Sequence, residues 1–185
     1  MNVSLSWILF ADVYQSLCLG LFMSMLDSSI VATSLFTIGT EFDDMERMNW
    51  VALAYTLSYI GCAVFFSRMT DVIGRRAAFM VAFIIFFAFS LGCGFAQNMD
   101  TLIACRALQG VGGSGLYSVT MITFPELSPD HLRRWIASII GIVIAMAGVL
   151  GPVLGGILTE YASWRWVFWI KSVATFKFMF IRSEC

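Results

Sequence analysis

The sequence has little charge: only 12% of its 185 residues are charged, against 59% apolar ones, where a soluble domain carries about 25% charged residues. With so few polar groups it cannot cover a globular surface, so the reading is that its solvent is lipid. Mean hydropathy is +0.85. The net charge of −1 leaves no basic stripe to meet phosphate, which excludes a nucleic-acid partner. Histidine occurs once, as His131. No metal-ligand spacing is present, and no cofactor is expected. Four of the five cysteines, Cys18, Cys62, Cys93 and Cys105, lie in apolar runs and read as small buried residues, while Cys185 is the last residue. The start lacks a basic segment and its apolar run is too long for a cleaved signal peptide.

What is present is a set of long apolar runs, each near the roughly 20 residues a helix needs to cross hydrocarbon. The expected spans are 13–36, 48–67, 77–99, 101–124 and 135–159, with a partial sixth over 164–181. The fold class is therefore all-α, a polytopic membrane helix bundle with the lipid bilayer as its partner. Basic residues set its orientation. Arg68, Arg75 and Arg76 follow the second span, and Arg133 and Arg134 follow the fourth. Glu41, Asp43, Asp44 and Glu46 outnumber Arg47 after the first. This places the even-numbered loops and the N-terminus in the cytoplasm. In the last segment, Lys171 and Lys177 each add about 2.5–3.5 kcal/mol to insertion at mid-helix. The end of the chain reads as a truncation, or a wrongly joined coding segment, attached to the start of a sixth helix.

Ionisable residues inside a span are candidate functional groups. Asp27 in the first span and Arg106 in the fourth have opposite signs at similar depth, which favours a shared aqueous cavity; idle interfacial or snorkelling positions are the alternative. The fourth span is crowded by Gly110, Gly112, Gly113 and Gly115. The fifth carries Gly148, Gly151, Pro152, Gly155 and Gly156. Small residues let helix backbones approach, and Pro152 removes a backbone bond, so a bend is expected there. The loop from Asp71 to Arg76 turns at Gly74. Its arginines follow from orientation alone, whereas Asp71 can pair with them or cap a neighbouring helix.

Together these segments resemble the major facilitator superfamily, in particular its fungal-type drug:proton antiporters. Leu26 to Ala32 looks like that branch's first-span signature, and Ser67 to Arg76 resembles the inner loop between spans two and three. Leu102 to Gly115, centred on Arg106, Gln109 and Gly110, resembles the fourth-span motif. Ala147 to Gly156 resembles the antiporter motif, and Trp164 to Phe168 the entry to span six. The resemblance implies the N-terminal six-helix half of the fold, here five complete spans and part of a sixth. It implies transmembrane transport in the plasma membrane, as multidrug or toxin efflux of small amphipathic compounds driven by protons. Asp27, Arg106 and Gln109 would then serve proton coupling and the cavity. Asp71, Gly74, Arg75 and Arg76 would form an inner-loop charge network. Gly151, Pro152, Gly155 and Gly156 would shape the antiporter helix bend.

Ser67 and Ala147 stand where that family has glycine, and Lys171 where it has asparagine. Twelve or fourteen spans are usual, so the C-terminal half is expected to be the missing partner, and this chain alone is expected not to transport. Two alternatives are a non-transporting membrane fragment that associates with a full-length relative, and a nutrient or organic-ion transporter. An intramembrane protease built on Gly112-Gly113-Ser114-Gly115 lacks a histidine base within a span. A channel lacks charged rings. No enzyme activity is expected.

Overall fold

The computed structural model describes residues 3–128, 130–161, 165–166 and 168–169, with side chains from residue 13 onward except at 130–134 and 161. Five helices follow one another: α1 (Val3–Glu41), α2 (Met48–Ile73), α3 (Arg75–Gly94), α4 (Met99–Leu127) and α5 (Asp130–Tyr161). Expected span 13–36 sits within the 39 residues of α1. By contrast, 77–99 overruns α3, which ends at Gly94. Absence of charge permits a helix to continue but does not compel it. Here Asn98 adopts extended backbone (φ −130°, ψ 151°) and begins α4, with Asp100 in its first turn, where a carboxylate meets the positive end of the helix dipole. Most of the expected sixth segment, 164–181, lies outside the described residues.

The turn between α2 and α3 is a single residue. Gly74 adopts φ +91°, a conformation that side chains with a Cβ avoid. Its N–H donates to the Thr70 carbonyl at 3.2 Å, and its carbonyl accepts from the Ala78 N–H at 3.0 Å, so one residue closes α2 and starts α3. At the other end of α4, Ser128 is extended (φ −89°, ψ 133°), as the following Pro129 requires.

α4 is the centre of the bundle. It packs between α2 and α3 and touches α1, while α1 in turn packs along α5. Leu17, Tyr55, Phe66, Phe79, Phe83, Phe86, Leu116 and Phe124 form the main core. A separate seam of Leu26, Ile30 and Ala147 joins α1 to α5. Close approach follows from small residues. A Cβ on Gly112 would lie 2.5 Å from the Phe86 backbone N. One on Gly110 would strike the Tyr55 carbonyl, and one on Gly151 would strike the Ser29 side chain.

Among the described residues, four helical segments are long and apolar enough to cross a membrane: Val13–Glu41, Met48–Ile73, Arg75–Gly94 and Trp135–Glu160. α4, with 29 residues, is long enough but too rich in Gly, Ser and Thr to reach that apolarity. Its surroundings explain this, because it is mostly buried against its neighbours.

Candidate functional site

Asp27 and Arg106 meet. The first is 0% exposed and the second 1%, so in this structure they do not face one another across water as expected, but in direct contact inside the bundle. Arg106 Nη1 donates to Asp27 Oδ2 at 2.6 Å and to Gln109 Oε1 at 2.9 Å. Gln109 Nε2 completes the ring by donating to Asp27 Oδ1 at 3.2 Å. The 3-residue spacing of Arg106 and Gln109 puts both on one face of α4, turned toward Asp27 on α1. Both carboxylate oxygens are thus satisfied, which a buried ion pair needs if attraction is to offset desolvation. Arg106 Nε has no hydrogen-bond partner among the described residues.

Residues that were not candidates for this site complete it. The Tyr55 ring of α2 lies under the guanidinium, with its centroid 4.6 Å from Arg106 Cζ, and Phe168 lies at 5.8 Å. Both offer the negative face of an aromatic ring to a cation. Tyr55 Oη donates to the Ser24 carbonyl at 3.4 Å, and Ser24 Oγ donates to the Gly113 carbonyl at 3.3 Å. From α3, the Cys93 thiol donates to Gln109 Oε1 at 3.6 Å. Side chains from α1, α2, α3 and α4 therefore converge on one charge pair.

The other expected residues fall into two separate groups. At the α2–α3 turn, Arg75 pairs with Glu126 near the end of α4. Asp71 and Arg76 are exposed. No described residue pairs with Asp71, so the expected pairing with the arginines is not formed here. Glu126 lies beyond the expected fourth span, 101–124, but within α4, which continues through Pro125 to Leu127. On α5, Gly151 and Gly155 lie against Ser29, Ile30 and Thr33 of α1. Pro152 and Gly156 are exposed, and nothing approaches the position of a Cβ on Gly156 within 4 Å.

The family described as the Major Facilitator Superfamily matches residues 17–181. The chain is 36% identical over 157 residues to the MFS-type transporter FPY5 of Fusarium mangiferae, a match covering 85% of this chain and 26% of that protein. It is 35% identical over 159 residues to Multidrug resistance protein 3 of Bacillus subtilis, covering 86% of this chain and 31% of that one. In fold it is similar to the xylose transporter XylE of E. coli in its inward open conformation. The TM-score is 0.76 at 14% identity, over 95% of this chain and 48% of that chain. The chain thus spans about a quarter to a third of the length of these curated relatives.

Proposed function

The chain belongs to the Major Facilitator Superfamily, and on that premise we propose that it acts in proton-coupled export of small amphipathic compounds. It is a multi-pass membrane protein of a transporter family. The observation that carries the finer reading is the buried Asp27–Arg106–Gln109 ring. Asp27 is the proton acceptor. While ionised, it holds Arg106 and joins α1 to α4. A proton on Asp27 cancels its charge and leaves Arg106 buried without a counter-ion, a state that costs about 3–5 kcal/mol. That state favours rearrangement of α1 against α4, and so couples proton binding to a change in the bundle. Arg106 and Gln109 set the affinity for the proton and the geometry of its release. The export of drug-like compounds is supported by the relative named for multidrug resistance.

The Arg75–Glu126 pair fastens the α2–α3 turn to the end of α4 and steadies one of the alternating states, with Asp71, Gly74 and Arg76 in the same turn. Gly151, Pro152, Gly155 and Gly156 give α5 its shape against α1. This arrangement sits in the plasma membrane with the N-terminus and the α2–α3 turn in the cytoplasm.

Two experiments test the reading. A chimera carries residues 17–161 in place of the aligned stretch of the Bacillus multidrug relative, in vesicles with an imposed pH gradient. It should export lipophilic drugs, and Asp27→Asn should abolish proton-driven export while leaving insertion intact. Full export by Asp27→Asn overturns the coupling role. For orientation, single cysteines replace Asn98 and the exposed Val72. Ser128 is unsuitable because it is buried and hydrogen-bonded to Tyr14 at 2.6 Å. Only the Asn98 position should react with an impermeant maleimide from outside; labelling at Val72 instead inverts the topology.

A further inference from the structure

Helix α1 ends in a turn that folds back on its own last residues. The Asp44 N–H donates to the Gly39 carbonyl at 3.1 Å and the Phe42 N–H to the Ile38 carbonyl at 3.2 Å, with Asp43 between them at φ 53°. One left-handed residue thus closes the helix, and aspartate is among the few side chains that adopt that conformation readily. The turn brings Met45 back to Gly39, and Met48 in the first turn of α2 reaches the same place. A Cβ on Gly39 would lie 2.9 Å from Met45 Sδ and 3.0 Å from Met48 Sδ. Two atoms within 3.0 Å of one point are no more than twice that distance apart. The bare backbone at Gly39 therefore lets both sulfurs approach α1 and each other.

We propose that Met45 and Met48 form a thioether site for a soft monovalent cation, Cu(I) or Ag(I). Thioether sulfur is neutral and polarizable, and soft ligands of this kind select soft metal ions over hard ones. Metal–sulfur bonds of about 2.3 Å let two sulfurs hold one ion between them within the separation that the turn sets. Each sulfur donates a lone pair, the ion keeps its charge, and no proton or electron is exchanged. Met45 is 44% exposed, which opens the site to water. Met48 is partly buried and belongs to one cluster with Ile38, Val51 and Met99, which holds the second sulfur in place. Glu41, Asp43, Asp44 and Glu46 outnumber Arg47 along this stretch, and their field draws cations toward it. Occupancy fastens the start of α2 to the end of α1. Spacing rules for metal sites count cysteine and histidine, so a thioether pair escapes them. The site stands independently of the transport reading, because its test reads the coordinating groups alone.

The experiment is a titration of the full chain with Ag(I) in detergent and chloride-free buffer, after its thiols are blocked with N-ethylmaleimide. The methionine methyl groups carry carbon-13. Each is bonded to a sulfur, so its proton–carbon signal reports coordination directly. Of the eleven methionines, Met45 and Met48 should shift together and saturate at one ion per chain. Met146, 52% exposed on α5, should stay where it is, and Mg(II) should move neither member of the pair. This measurement on the unaltered chain does not depend on any variant folding. Met45→Leu and Met48→Leu keep the apolar volume. Each should weaken Ag(I) binding at the remaining thioether about a hundredfold, because the second bond is no longer intramolecular. Signals of Met45 and Met48 that do not move, a shift at Met146 at the same concentration, or an affinity unchanged in the single variants overturns the proposal.

Discussion

Helices α4 and α5 are similar in length, 29 and 32 residues, and opposite in surroundings. α5 exposes Ile142, Met146, Val149 and Val153 along one side and reaches the apolarity of a membrane span. α4 buries Arg106, Gln109, Ser114 and Thr120, and does not reach it. In lipid the apolar effect supplies no attraction between helices, so a central helix is held by close packing and hydrogen bonds. The contrast teaches that, of these two helices, the more apolar is the one that faces outward. The helix that carries Arg106 and Gln109 is the one of the five that falls short of a span's apolarity.

The largest effect that could break this contrast is expected at Arg106. Arg106→Ala leaves Asp27 ionised and buried without a counter-ion, and should destabilise the bundle by about 3–5 kcal/mol, read as unfolding in detergent. Adding Asp27→Asn should recover much of that loss, since the double variant buries no lone charge. A single variant as stable as the parent would remove the pair from the structural core.

Next in size is Gly112→Ala, whose new Cβ would meet Phe86 backbone atoms at 2.5 and 2.8 Å and the Ala82 carbonyl at 2.9 Å. Backbone cannot yield as a flexible side chain does. A loss of about 1–3 kcal/mol is expected, measured in the same assay.

The smallest effect sharpens the contrast by reversing its sign. A Cβ on Gly148 of α5 meets nothing within 4 Å, so Gly148→Ala should be neutral or stabilise by up to about 1 kcal/mol through helix propensity. Equal losses at Gly112 and Gly148 would mean that the two helices are not differently enclosed.

Much of the site's membership was legible in the sequence, because a charge in an apolar run stands out. Asp27 and Arg106 were recognisable in this way, and Gln109 only through the resemblance of Leu102 to Gly115 to a fourth-span motif. Their contact was not, since 79 residues separate the pair and nothing in the local pattern says that α1 lies against α4. Tyr55 looked like any aromatic in a span, and Phe168 stood out only as the end of the segment resembling the entry to span six. Cys93 is buried as its apolar setting implies, but the bond from its thiol to Gln109 depends on how α3 packs. Glu126 lay beyond the expected fourth span, 101–124; a proline in the last turn costs one backbone bond, and the helix continues past Pro125. The α3–α4 turn was placed a few residues too late for a simpler reason. Charge marks the places where a span must stop, and the segment from Phe95 to Asn98 stops without one.

The single-residue link at Gly74 bears on how the bundle is made. Most neighbouring spans are joined by enough chain for the first to settle in the bilayer while the second is still being synthesised. With Ile73 ending α2 and Arg75 starting α3, there is no such slack. Once α2 reaches full depth, the first turn of α3 is already at the same membrane surface. The two helices therefore enter the bilayer as one hairpin, with Arg75 and Arg76 at its tip. A substitution that lengthens or stiffens this link would alter the order of insertion before it altered any contact in the finished bundle.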